Sequence, residues 1–225
     1  AGKSTTIKTL LNFIHPTTGS AQILGLDAVK DTVRIKKEIG YIPSEVSYYD
    51  DMTAKDLLDY SAGFYGRDCT ARRKQLCDLL GVEVGRKIED LSLGNRKKVA
   101  IVQALQHSPA VIILDEPTSG LDPLVQARFF EIIKEENQRG ATVFFSSHIL
   151  NEVQRICHRV GIIREGRLVQ VDAMENLRAS QYKKVKLQSS LPEGLGLINL
   201  PGVQEQKTHG RFTEFLFGGD IKDLL

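Results

Sequence analysis

Apolar and polar positions divide the chain into strand-like and helix-like stretches. Residues 111–114 form an uninterrupted apolar run, Val-Ile-Ile-Leu, which is typical of a strand buried on both faces of a parallel sheet. Further strands are predicted at residues 20–24, 39–42 and 142–147, and a helix at residues 32–38. Strands that alternate with helices predict an α/β fold, with a mostly parallel sheet flanked by helices.

The pattern is helical throughout from residue 53 to about residue 91. This stretch begins with Thr53-Ala54-Lys55-Asp56, a sequence that suits a capping box. Near the carboxyl end, period-two alternation is broken by Pro and Gly, which predicts short strands. The predicted domains are a core (residues 1–44 and 92–180), a helical insertion (45–91) and a small β-rich C-terminal extension (181–225).

The composition is that of an ordinary globular chain. Its 225 residues are 41% hydrophobic and 26% charged, which is enough for one sizeable core and a small accessory domain. The formal net charge of +2 gives no reason to expect nucleic-acid binding. No apolar run reaches the roughly 20 residues of a membrane-spanning helix. Three cysteines without a Cys-x-x-Cys pair indicate a reducing compartment, the cytoplasm.

Two adjacent carboxylates, Asp115 and Glu116, follow the apolar run at residues 111–114. At the carboxyl end of a buried strand, Asp115 can reach a metal ion and Glu116 can reach a water molecule. Pro117 then ends the strand, and Gly120 permits a tight turn. On local evidence, a core strand that leads into an acidic loop explains the segment equally well.

The residues Gly2-Lys3-Ser4-Thr5 match the end of the phosphate-binding P-loop pattern G-x-x-x-x-G-K-[ST]. Gly2 would let backbone N–H groups approach phosphate oxygens. Lys3 would bridge the β- and γ-phosphates, and the Ser4 hydroxyl would bind Mg²⁺. The first glycine of the pattern lies outside the sequence, so we interpret the chain as truncated inside this motif.

A P-loop is followed directly by a helix, and the next residues predict one. Apolar residues have the i, i+3, i+4, i+7 spacing of an amphipathic helix at Ile7, Leu10, Leu11 and Ile14. We expect this helix to end at His15-Pro16.

A second anion site is predicted at the amino end of a later helix. Ser92 and Gly94 precede a helical pattern through Val99, Val102 and Leu105, and backbone N–H donors and the helix dipole favour negative charge there. The alternative is that Ser92 only caps the helix and that the basic residues after it form its solvated face.

The order of these motifs resembles the ATP-binding subunits of ATP-binding-cassette (ABC) transporters. The resemblance covers residues 1–172 and includes the Walker A end, the signature motif, the Walker B strand with its catalytic glutamate, the D-loop and the switch histidine. These correspond in turn to Gly2-Lys3-Ser4-Thr5, Leu91 to Asn95, Val111 to Glu116, Ser119 to Asp122, and His148. Residues 91–98 and 40–49 look most like the drug and bacteriocin-type export ATPases of bacteria.

The resemblance implies a P-loop NTPase fold, with ATP and Mg²⁺ as cofactors. Glu116 would orient or deprotonate the attacking water, and His148 would hold the γ-phosphate and that water in line. The metal ion would be held by Ser4 and Asp115. The residues implied in nucleotide binding are Gly2, Lys3, Ser4, Thr5, Ser44, Ser92, Gly94 and Asp122.

Two motifs depart from the family pattern. Ser44, followed by Glu45, stands where the family usually has a glutamine that touches the metal, so Ser44 holding a metal-bound water and Glu45 meeting the partner are both open. Leu93 and Asn95 replace the commoner glycine and glutamine of the signature motif. Since Ser92 is retained, we expect the phosphate contact to persist with altered packing.

The resemblance also implies partners. Two ATP-binding subunits, identical or related, would pack head to tail, so that Ser92 of one faces the γ-phosphate bound by Lys3 of the other, with Asp122 at the interface. A transmembrane permease subunit would contact residues 44–51, including Tyr48 and Tyr49. The chain would then be peripheral on the inner face of the cell membrane.

Other functions use the same motifs in part. A soluble ABC-type ATPase not coupled to transport would share all of them, and a catalytically weak nucleotide-binding regulator would fit the departure at Ser44. A P-loop kinase would explain Lys3 and Asp115 but would give no role to Ser92 and His148. ATP hydrolysis that powers a membrane exporter accounts for the whole set.

Overall fold

The computed structural model describes residues 2–179, 183–190, 198 and 200–218. The chain forms two compact units, one of residues 1–157 with 163–168 and the other of residues 158–162 with 169–225. Within the described residues, no helix is both long enough and apolar enough to cross a membrane.

The elements of the first unit alternate between helix and strand. In chain order they are α1 (Lys3–Leu10), β1 (Gln22–Ile23), β2 (Leu26–Asp27), α2 (Thr32–Lys37), β3 (Ile39–Ile42), α3 (Ala54–Ala62), α4 (Thr70–Leu80), a 3₁₀ turn (Ile88–Asp90), α5 (Leu93–Leu105), β4 (Val111–Asp115), α6 (Pro123–Gln138), β5 (Thr142–Ser146) and α7 (Leu150–Ile156).

A parallel sheet of order β3-β4-β5 lies at the centre of this unit. All five residues of β4 are buried, and they alternate between two cores. Ile112 and Leu114 pack in the larger core, with α3, α4, α5 and α6, while Val111 and Ile113 pack in the smaller one with α1 and α2. The predicted α/β fold and the strand buried on both faces are therefore confirmed.

The close packing of β3 against α5 depends on Gly40. A Cβ atom at this position would overlap the carbonyl oxygen of Ala104 and lie 2.9 Å from Cγ of Pro109. Only glycine lets the strand backbone approach the helix this closely. Since β3 is the neighbour of β4, this approach fixes the strand that ends beside Asp115.

Two local predictions were wrong. The first helix was expected to reach His15 but ends at Leu10, because Asn12 takes a left-handed conformation (φ 55°), which asparagine tolerates. The strand expected at residues 20–24 is shorter, because only Gln22–Ile23 (β1) is a strand, and it pairs as a hairpin with β2 at Leu26–Asp27. Its turn uses positive φ at Leu24 and Gly25.

Helices α3 and α4 lie within the segment predicted as a helical insertion. The capping box that starts α3 is confirmed, because Thr53 accepts from the Asp56 N–H and Asp56 accepts from the Thr53 N–H. An ion pair between Arg72 on α4 and the buried Glu136 on α6 joins this helix to the core. The domain boundaries themselves remain predictions.

The second unit contains an antiparallel sheet. The remaining elements of the chain are β6 (Arg159–Arg164) and β7 (Arg167–Ala173), whose residues are divided between the two units, and α8 (Met174–Ala179), β8 (Lys183–Gln188), β9 (Val203–His209) and β10 (Phe212–Phe217) of the second unit. Strands β8, β10 and β9 pair in that order, and Phe215 and Phe217 are buried on one face. Much of the predicted C-terminal extension, including residues 191–197 and 219–225, lies outside the described residues.

Candidate active site

Three side chains predicted from separate motifs meet at the end of β4. Oε1 of Glu116 lies 3.4 Å from the Lys3 ammonium and 3.2 Å from Nδ1 of His148. Each comes from a different element: Lys3 begins α1, Glu116 follows β4 and His148 follows β5. Parallel strands end at the same sheet edge, which explains why residues far apart in the chain converge here.

The backbone at Glu116 aims its side chain away from the strand direction. Glu116 has φ 46°, in the left-handed region that non-glycine residues rarely adopt. Its N–H donates to the Ser146 carbonyl at 3.0 Å, so the strained residue is held by the neighbouring strand. Such strain is characteristic of functional sites, where surrounding structure holds the backbone in place.

The charges around Glu116 favour its ionised form. Partial burial raises the pKa of this carboxyl, but the hydrogen bond and charge of His148, together with Lys3, outweigh burial and lower it. Glu116 is therefore a carboxylate at neutral pH, as a group that orients or deprotonates water must be.

Asp115 is held differently from Glu116. Its side chain is 1% exposed, and Oδ1 accepts a 2.6 Å hydrogen bond from the Ser146 hydroxyl on β5. This bond fixes the rotamer of the buried carboxylate. The two adjacent acids thus have separate environments, one buried and anchored, the other open to Lys3 and His148.

The amino end of α1 is suited to a phosphate. Gly2 has φ 108°, a conformation that favours glycine, and it directly precedes the first turn of the helix. Lys3 and Ser4 are both partly exposed at this end, where N–H groups and the helix dipole favour an anion.

Mg²⁺ fits the oxygen atoms available here. Ser4 supplies a hydroxyl and Asp115 a carboxylate, both hard donors, and Mg²⁺ commonly binds one or two protein oxygens plus waters and substrate phosphates. Among the described residues, no group of three or more His, Cys, Asp or Glu side chains could hold a metal alone.

The signature motif lies against the turn that follows β4. Ser92 caps α5, because its hydroxyl accepts from the Asn95 N–H at 3.3 Å. The Leu93 side chain covers Gly120, so closely that a Cβ on Gly120 would lie 3.2 Å from Cδ2 of Leu93. A Cβ on Gly94 would lie 3.2 Å from the Gly120 carbonyl. The signature motif and the predicted D-loop are therefore packed together within one chain.

Other predicted site residues lie near this region without meeting Glu116. Asp122 caps α6, and its Oδ1 accepts from the Val125 N–H at 2.9 Å. The Ser44 side chain is exposed, and its backbone carbonyl accepts from Lys97. Thr5 is exposed on α1, where its carbonyl accepts from the Thr9 hydroxyl.

Two residues of the site were missed in the sequence. Glu152, on α7, is 7% exposed, and its two oxygens accept 2.6 Å hydrogen bonds from Thr118 and Ser147. Lys97 is 2% exposed. In the sequence, one interpretation placed the basic residues after Ser92 on the solvated face of the helix, and Lys97 does not fit it. Burial lowers the pKa of Lys97 to about 8, while Asp115 and Glu116 oppose that shift.

Comparisons with known proteins point to one family. Residues 1–119 match the ABC transporter family. NatA of Bacillus subtilis, an ABC transporter ATP-binding protein, is 36% identical over 80% of this chain and 76% of its own length. BcrA of Bacillus licheniformis, a bacitracin transport ATP-binding protein, is 34% identical over 84% of this chain and 63% of its own length.

The fold agrees with that assignment. A solved structure of the ATP binding subunit of an ABC transporter matches with a TM-score of 0.73 and 30% identity, covering 79% of this chain and 76% of that one. The chain spans between 56% and 76% of the length of NatA, BcrA and a Nostoc relative. The family resemblance and P-loop fold predicted from motif order are confirmed, and the chain belongs to the ABC transporter family.

Proposed function

We propose that this chain is the ATP-binding and ATP-hydrolysing subunit of an ABC exporter. The observation that carries the proposal is the convergence of Lys3, Glu116 and His148 on one oxygen, Glu116 Oε1. A cation, a carboxylate and an imidazole in contact supply the charges that phosphoryl transfer to water requires.

In this proposal the residues have distinct roles. The N–H groups at the amino end of α1 and the Lys3 ammonium bind the β- and γ-phosphates. The Glu116 carboxylate orients the attacking water and accepts its proton, and His148 holds that water in line with the γ-phosphate. Ser4 and Asp115 would hold Mg²⁺, which would neutralise charge on the phosphate oxygens.

Pairing of two subunits completes the site. The exposed Ser92 hydroxyl and the N–H groups behind it are available to a γ-phosphate on a second subunit. Leu93, next to Ser92, and Leu124, in the first turn of α6 after Asp122, are 66% and 81% exposed, which suits a surface covered by a partner. ATP then favours the paired state, and loss of the γ-phosphate releases it.

A transmembrane partner is proposed at the loop after β3. A cavity of about 290 Å³ lies there, lined by Phe13, Tyr41, Val46, Tyr48 and Tyr65 among others. Tyr48 packs against the larger core, whereas Tyr49 is 65% exposed and available for contact. An aromatic cleft beside the site gives a permease helix a place to bind and to sense the nucleotide state. The chain would lie on the cytoplasmic face of the membrane.

The export direction is proposed from relatives. BcrA carries the name of a bacitracin transport protein, and another relative from Bacillus subtilis that is 32% identical is named for linearmycin resistance. Removal of an antibiotic from the cell accounts for both names.

The test uses Glu116→Gln in the full-length protein. We expect ATP turnover to fall by about 100-fold or more, which corresponds to at least ~2.7 kcal/mol in activation free energy, with ATP binding retained. Turnover by coupled phosphate release and binding by calorimetry measure the two effects. Glu135→Gln, on the exposed face of α6, is the matched control and should turn over ATP normally. Wild-type turnover in Glu116→Gln would contradict the proposal.

A further inference from the structure

The side chain of Lys97 is 2% exposed, which places it among the largest buried side chains of the described residues, and it is a cation. Its ammonium donates to two consecutive backbone carbonyls, those of Pro43 at 2.7 Å and Ser44 at 3.0 Å. Burying an ammonium costs free energy that an apolar side chain of similar volume would not. Packing alone therefore does not explain why a lysine occupies this position.

The two carbonyls lie at the edge of the candidate site. Pro43 follows the last residue of β3, Ile42, which pairs with Leu114 on β4. Leu114 is followed in the chain by Asp115 and Glu116. Both carboxylates attract the Lys97 ammonium. Lys97 thus holds the backbone of the loop after β3 against the carboxylate end of β4.

The other end of this connection is the signature motif. Lys97 lies in the first turns of α5, whose cap is Ser92, and a helix rises about 1.5 Å per residue, so the two are roughly 7 Å apart along the axis. Helix α5 is continuous from Leu93 to Leu105, with Val99, Ile101 and Val102 buried, so one helix joins Ser92 to Lys97. Lys97 in turn donates to the carbonyls of Pro43 and Ser44.

From this geometry we infer that Lys97 is a positioning residue. Its ammonium fixes the backbone at Pro43 and Ser44 beside Asp115 and Glu116, and α5 links that backbone to Ser92 at the paired-subunit surface. The expected effect of Lys97 on ATP hydrolysis rests on the proposed function, whereas its effect on the backbone at Pro43 and Ser44 does not. Nucleotide contact at Ser92 of one subunit then alters the loop after β3 in the same subunit, where the proposed permease surface begins.

The first measurement does not depend on ATP hydrolysis. Hydrogen–deuterium exchange of nucleotide-free full-length protein is compared for wild type, Lys97→Met and the control Lys98→Met, which changes the adjacent lysine. Lys97→Met should speed exchange in the peptide that covers residues 43–48 and leave peptides from α6 unchanged. Lys98→Met should match the wild type. Unchanged exchange at residues 43–48 in Lys97→Met would overturn the inference.

The second measurement separates positioning from simple stability. Lys97→Met should lower kcat by about 10- to 100-fold while KM for ATP stays within about twofold, because the loop is misplaced but the phosphate contacts of Lys3 remain. Lys97→Arg, which keeps donors for both carbonyls, should recover most of that loss. Faster exchange in all peptides with unchanged kcat would show a purely structural role and overturn the inference.

Lys97→Gln is included as a neutral polar variant in case Lys97→Met does not fold, because its shorter side chain keeps an amide NH₂ that can donate to a carbonyl. It should give an intermediate exchange rate at residues 43–48 and an intermediate kcat. Suppose that Lys97→Met does not fold. If Lys97→Gln and Lys97→Arg then both show the wild-type exchange rate at residues 43–48 and the wild-type kcat, the positioning role is overturned. If wild-type protein hydrolyses no ATP, the proposed function fails, while the exchange data still decide whether Lys97 anchors the loop.

Discussion

Glu152 and Thr118 are joined by a 2.6 Å hydrogen bond across 34 residues of chain. The second oxygen of Glu152 accepts an equally short hydrogen bond from Ser147. Thr118 lies two residues after Glu116, and Ser147 directly precedes His148. The Glu152 carboxylate therefore ties together the two segments that present Glu116 and His148, the proposed catalytic pair.

Glu152→Ala should impair catalysis more than nucleotide binding. Two buried hydroxyls would lose their acceptor, which costs roughly 1–3 kcal/mol of unfolding free energy and frees the segments that carry Glu116 and His148. We expect kcat to fall about tenfold with ATP affinity retained. Steady-state hydrolysis and urea unfolding measure the two effects. The control is Glu135→Ala on the exposed face of α6; if Glu152→Ala lowers stability but keeps kcat, its role is structural only.

The ion pair between Arg72 and Glu136 should contribute to stability through burial. Glu136 is 2% exposed and also contacts Arg139 at 3.1 Å, so Arg72→Met leaves a buried carboxylate with a single exposed partner. We expect a loss of about 3 kcal/mol in unfolding free energy. The double variant with Glu136→Met should recover much of this loss, because no charge then remains buried.

Urea denaturation measures both Arg72 variants. Arg128→Met provides the control, because Arg128 and Glu131 form an exposed ion pair on the same helix as Glu136, and such pairs contribute under about 1 kcal/mol. Equal losses in the buried and exposed pairs would contradict the burial argument.

His107 should make stability fall in mild acid. Burial lowers its pKa to about 4, even though Nε2 donates to the Ile39 carbonyl at 3.2 Å, which favours the charged form. An unfolded histidine has a pKa of about 6.5, so between pH 6.5 and 4 the unfolded chain binds a proton that the native chain does not. Unfolding is therefore favoured as pH falls, by roughly 2 kcal/mol between pH 7 and pH 5.

Urea unfolding at pH 7 and pH 5 measures this loss. His107→Phe keeps a ring to stack on Tyr65, whose centroid lies 3.6 Å from that of His107, but it cannot bind a proton. The variant should lose roughly 2 kcal/mol less than the wild type over this range. The same pH dependence in both proteins would show that other groups cause the acid sensitivity.

Gly40→Ala should destabilise the sheet. The new methyl group would overlap the Ala104 carbonyl and would force β3 away from α5, at a cost of about 1–3 kcal/mol. Gly85→Ala is the control, because a Cβ there meets no atom within 4 Å. Thermal unfolding compares the two. A Gly40→Ala protein as stable as Gly85→Ala would show that β3 can move without loss.

The sequence alone determined the features that depend on local pattern. The apolar run at residues 111–114 predicted a strand buried on both faces, and the structure places it between two cores. Motif order predicted the family, and it predicted Lys3, Glu116 and His148 as residues of the site. Local rules were sufficient here because strand burial, caps and motif chemistry depend on neighbouring residues.

Tertiary structure decided the features that depend on distant contacts. The burial of Lys97 does not follow from helical spacing, since it depends on carbonyls more than 50 residues away along the chain. Glu152 carries no motif, and only its contacts reveal its role. Long-range packing sets which polar groups are buried and paired, and a one-dimensional pattern of hydrophobicity does not contain that information.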